Sequence, residues 1–437
     1  MQSNIATELI QFIKASPSAF HAVDTMKKEF LANGFTALAE NERWNLKAGG
    51  QYFITRNDSS IIAFSIPENG FHGMRIMASH SDSPSFKIKE NPEMEVEKHY
   101  IKLNVERYGG MIFAPWFDRP LSVAGRLIIK NPSTGTLESR LVNVDRDLVM
   151  IPNLAIHMNR EVNSGYKYNA QKDMLPLYGD IASKDTFMKT IAETAGVKEN
   201  DILAHDLFLY NRIKGTIWGA NEEFLSSSRL DDLQCAFASL KGFLQGEKKA
   251  HLAVHCVLDN EEVGSQTKQG AASTFLADTL ERICAALGNG DKYREKVASG
   301  FLVSCDNAHA VHPNHPEYAD RNHTVRMNGG VVIKYNANQR YTTDAVSEAI
   351  FKSFCDKAGV KTQFYANRAD MAGGGTLGNI ANTQVSLNTV DIGLAQLAMH
   401  SAYETAGADD TQAMISALTA FFESGIEMKA DGEYILH

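Results

Sequence analysis

Short apolar runs that end abruptly in a histidine or a carboxylate recur along this chain, with helical patterns between them. Gly73–Ser79 reads as a buried strand running into His80-Ser-Asp82, and His251–Leu258 as a strand ending at Asp259-Asn-Glu-Glu262. Gly300–Cys305 ends the same way at Asp306, and Val331–Tyr335 and Gln363–Ala366 are further strand patterns. Helical spacing marks Ile5–Ile13, Leu230–Leu244, Ala272–Leu287, Thr343–Ala358, Leu394–Ala402 and Thr411–Met428. Strands alternating with helices predict an α/β fold with a mostly parallel central sheet flanked by helices. Ligands on such a sheet sit beyond the carboxyl ends of the strands.

The alternation is interrupted. From about Lys89 to Gly219 the texture changes to short β-like runs such as Tyr100–Val105 and Leu127–Lys130, some separated by turn signals such as Asn131-Pro-Ser-Thr-Gly135. Only Asp185–Ala195 has a long helical pattern there. The expected organisation is a discontinuous catalytic domain, residues 1–88 and 220–437, with a β-rich insertion over 89–219. Composition excludes several other classes. With 437 residues, 44% apolar and 22% charged, the chain is ordinary globular protein rather than disordered, collagenous or coiled. A formal net charge of −9 argues against nucleic acid or an anionic membrane as partner. No apolar run approaches the roughly 18 residues of a spanning helix. The first residues lack the basic and apolar regions of a secretory signal. Five scattered cysteines without a CxxC fit a reducing, cytoplasmic setting and not a thiolate metal site.

The sheet rule would bring His80, Glu261, Glu262 and Asp306 to one edge. Asp231 opens a helix pattern, and His400 lies late in the chain. Two histidines and three carboxylates can ligate a pair of zinc ions, one carboxylate bridging metals roughly 3.5–4 Å apart. The adjacent Glu261 and Glu262 could divide the work of metal ligand and unligated base. Taken alone, Asp-Asn-Glu-Glu also reads as a solvated acidic turn. Most of the 14 histidines are structural or exposed by the same caution, including His309, His312, His315 and His323. Gly373–Gly378 lacks the Lys-Ser/Thr ending of a phosphate loop and suits close backbone approach to a substrate instead.

Blocks spread over nearly the whole chain resemble the aspartyl aminopeptidases, dinuclear zinc exopeptidases, in a bacterial-type member. They include Ser16-Pro-Ser-Ala-Phe-His-Ala22, Ser79-His-Ser-Asp-Ser-Pro84, Tyr108-Gly-Gly110, Trp116-Phe-Asp-Arg119 and Ile151-Pro-Asn-Leu-Ala-Ile-His157. Others are Ser228-Arg-Leu-Asp231, Asp259–Ser265, Cys305–Pro313, Lys334, Gln339-Arg-Tyr341, Gly374–Gly378 and Gln396–Ser401. The resemblance implies two zinc ions per subunit, though cobalt or manganese accept the same donors. It implies His80 and Asp306 on one zinc, Glu262 and His400 on the other, and Asp231 bridging. A hydroxide between the metals would be the nucleophile and Glu261 the general base. The Asp231–Asp232 peptide would be cis, and Asp232 departs from the Asn usual there.

The same resemblance implies that His157 reaches the active site of a neighbouring subunit and polarises the scissile carbonyl, leaving an isolated monomer nearly inactive. The insertion would serve dimerisation, and dimers would build a tetrahedral dodecamer admitting short peptides. Preference for an N-terminal Asp or Glu is implied, with Lys334 facing the acidic side chain and Tyr341 lining its pocket. Asp370 is a candidate for holding the free α-amine. Three functions compete: this aminopeptidase, with acidic or broader specificity; a related dinuclear zinc hydrolase cutting another amide such as an N-acyl amino acid; and an inactive oligomeric scaffold.

Overall fold

The computed structural model describes residues 3–248 and 250–437. Its centre is a nine-stranded sheet. Across it lie Thr36–Leu38, Gln51–Arg56, Ser60–Ser65, Leu252–Leu258, Met74–His80, Phe301–Cys305, Asn388–Gly393, Val331–Tyr335 and Thr362–Ala366. The four strands from Leu252–Leu258 to Asn388–Gly393 are mutually parallel. Antiparallel pairings join them to their neighbours on both sides. Every residue of Met74–His80, Leu252–Leu258 and Phe301–Cys305 is buried. Such strands are covered on both faces, which is why they read as continuous apolar runs without alternation.

Helices cover both faces. One core gathers Leu9, Phe30, Phe237, Phe243, Phe351, Leu418 and Phe421 from helices Ser3–Ala15, Ala19–Ala32, Leu230–Gln245, Ala345–Lys357 and Asp410–Glu423. The other packs Phe275, Leu280 and Ile283 of helix Phe275–Ala286 on the opposite face. Helix Leu230–Gln245 is buried along most of its length, because a strand layer lies on one side and helix Asp410–Glu423 on the other. The two helices meet closely at Gly242, where an added Cβ would lie 2.8 Å from Leu418 Cβ.

The insertion is an antiparallel six-stranded sheet with its own core around Phe86, Leu103, Leu127, Phe187 and Leu207. Its strands run in the order Leu137–Asn143, Leu121–Lys130, Ile202–Asn211, Ser85–Val96, Tyr100–Tyr108, Leu177–Asp180. The sheet therefore starts ahead of residue 89. Strand Thr216–Trp218, expected within the insertion, pairs instead with Phe224–Ser227 in a separate five-stranded sheet.

Two expected helices are corrected. Leu394–Ala402 contains strand Ala395–Leu397, whose Gln396 pairs with Ala406, followed by a turn with positive φ at Ala398 and His400 that no helix accommodates. The pattern over Thr411–Met428 breaks at Glu423, and Ile426–Ala430 forms a hairpin with Glu433–Leu436. Helix Ala19–Ala32 and the three strands before residue 66 went unread, although Phe20, Val23, Met26 and Phe30 line one buried helical face.

Gly242→Ala should cost about 1–3 kcal/mol through overpacking against Leu418. Thermal denaturation at saturating metal would register this as a lowered Tm relative to wild type.

Candidate metal centre

Three adjacent parallel strands end at the same sheet edge, and that edge carries the chemistry. Leu258 pairs with His80, the last residue of its strand. The chain after Leu258 turns at once through Asn260, with φ 62°, into Glu261 and Glu262. Strand Phe301–Cys305 delivers Asp306 alongside. Asp231 opens the buried helix beneath this edge, and its peptide bond to Asp232 is cis. His400 enters from the turn after strand Ala395–Leu397.

The side chains converge. His80 Nε2 lies 3.4 Å from Asp231 Oδ1 and 3.8 Å from Asp306 Oδ1. His400 Nε2 lies 3.4 Å from Asp231 Oδ2 and 3.4 Å from Glu262 Oε2. Asp231 thus offers a different oxygen to each histidine. Glu261 groups with His80 and Glu262. Asp231 Oδ1 and Glu262 Oε1 are buried without a hydrogen-bond partner. Tetrahedral zinc with nitrogen and oxygen bonds near 2.0–2.2 Å would hold neighbouring donors about 3.3–3.6 Å apart. The donor types, the three 3.4 Å spacings and the orphaned oxygens fit that metal, with the 3.8 Å between His80 and Asp306 slightly wider.

Without a cation the centre is electrostatically crowded. Burial opposes charge on His80, yet Asp232, Asp231, Asp306 and Asp82 raise its pKa well above the ordinary value. Burial also opposes the charge of His400, but Asp231 and its other neighbours raise it to about 9. Burial pushes Glu261 up to about 8, with His80 opposing and Asp306, Asp82 and Asp231 adding to the shift. Burial and Asp231 push Glu262 well up. Asp231 goes the other way: burial raises it, but His400 and His80 hold it below the usual range.

A second layer of hydrogen bonds fixes these groups. The carbonyl of Asp82 lies 3.1 Å from His80 Nδ1, which marks Nδ1 as the protonated nitrogen and turns Nε2 to Asp231. The Asp82 carboxylate accepts the N–H of Glu261 (3.1 Å), the N–H of Glu262 (3.2 Å) and the Tyr108 hydroxyl (2.6 Å). Glu404 accepts the N–H of His400 (2.8 Å) and of Asp231 (3.1 Å). Burial pushes Glu404 up to about 8. The His80 N–H donates to Asp232 Oδ2 (3.1 Å), and burial pushes the Asp232 acid well above its ordinary value. Gly110 O lies 2.6 Å from His400 Nδ1. Asp82, Tyr108, Gly110 and Glu404 were not assigned roles from the sequence. The nearest signals were the His80-Ser-Asp82 spacing and the Tyr108-Gly-Gly110 block.

The remaining expected residues divide. Lys334 is buried and does not reach solvent. Its Nζ donates to Asp306 O (2.9 Å), lies 3.4 Å from Asp306 Oδ2, and sits 4.9 Å above the ring of buried Tyr341. Asp370 is not brought into the cluster: it lies exposed, its carboxylate paired at 3.0 and 2.7 Å with Arg368 on its own loop. The α-amine role expected of it therefore draws no support from this geometry. His157 lies on an exposed turn of the insertion between exposed Ile156 and Met158, apart from the cluster of its own chain. His315 and His323 pair with Glu317 and Asp320 near the surface, and no metal-ligand grouping forms around them among the described residues. Gly374 has open space where a side chain would stand. A cavity of 460 Å³ lined by Phe20, Trp116, Arg126 and Phe208 also reaches Asp82, Asp231 and Glu404.

Residues 12–422 match the family described as aminopeptidase I zinc metalloprotease (M18). The probable M18 family aminopeptidase 2 of Clostridium novyi (strain NT) is 47% identical over 413 residues, covering 93% of this chain and 95% of that protein. The protein of the same description from Pseudomonas aeruginosa (strain UCBPP-PA14) is 39% identical over 97% of this chain and 99% of its own length. Among solved structures, a chain of the cryo-EM structure of the Ape4 and Nbr1 complex matches with a TM-score of 0.93 at 33% identity, over 97% of this chain and 86% of that one. A chain of the S. cerevesiae mApe1 dodecamer matches with a TM-score of 0.84 at 27% identity, over 96% of each. The fold and its centre are those of a metallopeptidase. The chain belongs to the M18 family of zinc aminopeptidases.

In the metal-free protein, Glu261 and Glu404 bind protons up to about pH 8 that they release near pH 4.5 when unfolded, and His400 holds its proton to about pH 9 rather than 6.5. The folded state then binds more protons than the unfolded state, so stability falls as pH rises. Thermal scans of chelator-treated protein should show Tm declining from about pH 6 to 9. Added zinc should restore Tm most at the alkaline end.

Proposed function

We propose that this chain is a two-zinc aminopeptidase that removes an N-terminal Asp or Glu from short peptides. The observation that carries the reading is the bridging posture of Asp231, each of whose oxygens faces a different histidine at 3.4 Å. His80 and Asp306 would hold one ion, Glu262 and His400 the other, with Asp231 shared. Cobalt or manganese would fit the same donors. Zinc, when bound, supplies a Lewis acid for the scissile carbonyl and lowers the pKa of water.

Glu261 lies within donor distance of His80 and Glu262, and on this reading it stays unligated. Its carboxylate would take the proton of the attacking water and return it to the leaving amine. Burial raises the proton affinity of this Glu in the metal-free protein, and bound cations would draw it back down. His157 would donate to the carbonyl oxygen in a neighbouring subunit. Its exposed turn, flanked by Leu154, Ile156 and Met158, has the apolar surface that self-association buries. The structural likeness to the mApe1 dodecamer supports a dodecamer; on this reading it is built from dimers with tetrahedral symmetry and its interior admits short peptides. The five cysteines are free and buried, in keeping with the cytoplasm.

Lys334 supports the acidic preference, since it is a buried cation beside Asp306 under the Tyr341 ring. Its existing partner also favours the second reading, a broader N-terminal specificity, because an already paired ammonium discriminates less. A dipeptide panel separates the two. Asp-X and Glu-X should exceed Leu-X and Lys-X in kcat/KM, and Lys334→Met should erase the difference.

Glu261→Gln should lower kcat roughly 10²–10⁴-fold while zinc content stays at the wild-type stoichiometry. Equal hydrolysis by wild type and Glu261→Gln would overturn the catalytic assignment.

A further inference from the structure

We propose that Tyr108, a residue of the inserted domain, is a positioning residue for the metal centre, holding the Glu261–Glu262 turn in place through Asp82. The proposal rests on the zinc reading above and extends it to a residue outside the catalytic domain.

Tyr108 is the last residue of strand Tyr100–Tyr108 and pairs with Ser85 across the inserted sheet. Its ring packs edge-on against Phe208 of the same sheet, with centroids 5.6 Å apart. The ring is therefore fixed by the insertion, while the hydroxyl crosses to the catalytic domain. There it donates to Asp82 Oδ2 at 2.6 Å and accepts from Asn260 Nδ2 at 2.8 Å. The direction of the proton is determined. Asn260 Oδ1 already accepts from Thr267 Oγ1 and Gln269 Nε2, both at 2.8 Å, so its amide nitrogen is the group turned toward Tyr108. A phenol has one proton, and with Asn260 donating to it that proton goes to Asp82. A hydrogen bond to a carboxylate is stronger than one between neutral groups.

Asp82 passes the constraint on. Its two oxygens accept the successive backbone N–H groups of Glu261 and Glu262, which sets the turn presenting the base and a metal donor. The segment that follows Tyr108 holds the other donor of the same ion. Gly110 O meets His400 Nδ1 at 2.6 Å, and the Ile112 N–H donates to His400 O at 3.0 Å. Residues 108–112 thus grip both Glu262, through Asp82, and His400. The catalytic domain supplies the donors, and the insertion sets the spacing between two of them.

The test uses full-length Tyr108→Phe, with Tyr178→Phe for comparison; the Tyr178 hydroxyl bonds Thr186 and Thr190 inside the insertion only. Zinc affinities are measured by competition with a chromophoric chelator, alongside kcat and KM for an Asp-X dipeptide. Loss of a group that orients a ligand costs about 10–100-fold in metal affinity. Tyr108→Phe should lose that much for its weaker-held zinc and fall in kcat with KM little changed, whereas Tyr178→Phe keeps wild-type affinity. Gly109→Ala gives a second reading of the same coupling, since a Cβ at its φ of 76° would lie 3.2 Å from Glu262 Cβ; it too should weaken zinc binding. Wild-type zinc affinity in Tyr108→Phe, with wild-type protein loaded and active, would sink the positioning role and leave the zinc reading intact. Wild-type protein that binds no zinc and cleaves no peptide would bring down both.

Discussion

The rest of the structure is arranged around a concentration of carboxylates that cannot all be ionised in a dry site without cations. Asp231, Asp232, Glu261, Glu262 and Asp306 lie around His80 and His400, with Lys334 as a buried cation beside Asp306. Burial alone would drive most of these acids neutral. Asp231 resists because both of its oxygens face imidazole nitrogens, the places where cations would sit. A fold that keeps such a group at the carboxyl edge of its sheet must spend much of its polar backbone on holding it. Asp82 and Glu404 do so by accepting main-chain N–H groups from the residues that present the donors.

This division explains what could be read from the sequence. The donors stand where buried strands stop. His80, Asp306 and the Glu261–Glu262 pair each follow an unbroken apolar run, and a run of that kind in a parallel sheet points its end toward the common ligand edge. The spacing of Leu230–Leu244 likewise foretold the helix that Asp231 opens. His400 was legible as a residue but not as a structure, because helical spacing over Leu394–Ala402 was overridden by strand pairing and two positive φ angles. The supporting layer was less visible. Glu404 accepts a backbone N–H from a residue 173 positions away and Tyr108 donates to a carboxylate 26 positions away, and no local pattern records partners that distant. Asp370 shows the opposite case: its local partner, Arg368, lies two residues away and would compete with any distant role.

The boundary of the insertion shows the same limit. The sequence texture changes near residue 89, whereas the six-stranded sheet begins at Ser85, directly after the loop that carries Asp82. Strand Ser85–Val96 and the metal-site loop are therefore continuous chain. At the far end, Thr216–Trp218 returns to pair with Phe224–Ser227, which in turn pairs with Glu404–Gly407, so Glu404 sits on a strand two places from the segment that leaves the insertion. The inserted sheet is tied to the centre at its entry, at Tyr108, and close to its exit. Composition marks a domain, while the hydrogen bonds mark a shared site.

That sharing bears on why the inserted domain carries both contacts and exposed apolar surface. Tyr108 and Gly110 act within the chain, at one end of the inserted sheet, whereas His157 and its apolar neighbours project from an exposed turn of the same domain. On the proposed reading, a rigid shift of the insertion would move the support of one active site and the carbonyl donor of its neighbour together. Assembly would then do more than collect subunits. It would hold the inserted sheet in place, and a centre whose Glu262 and His400 are held from that sheet would reach its working spacing only when the sheet is held.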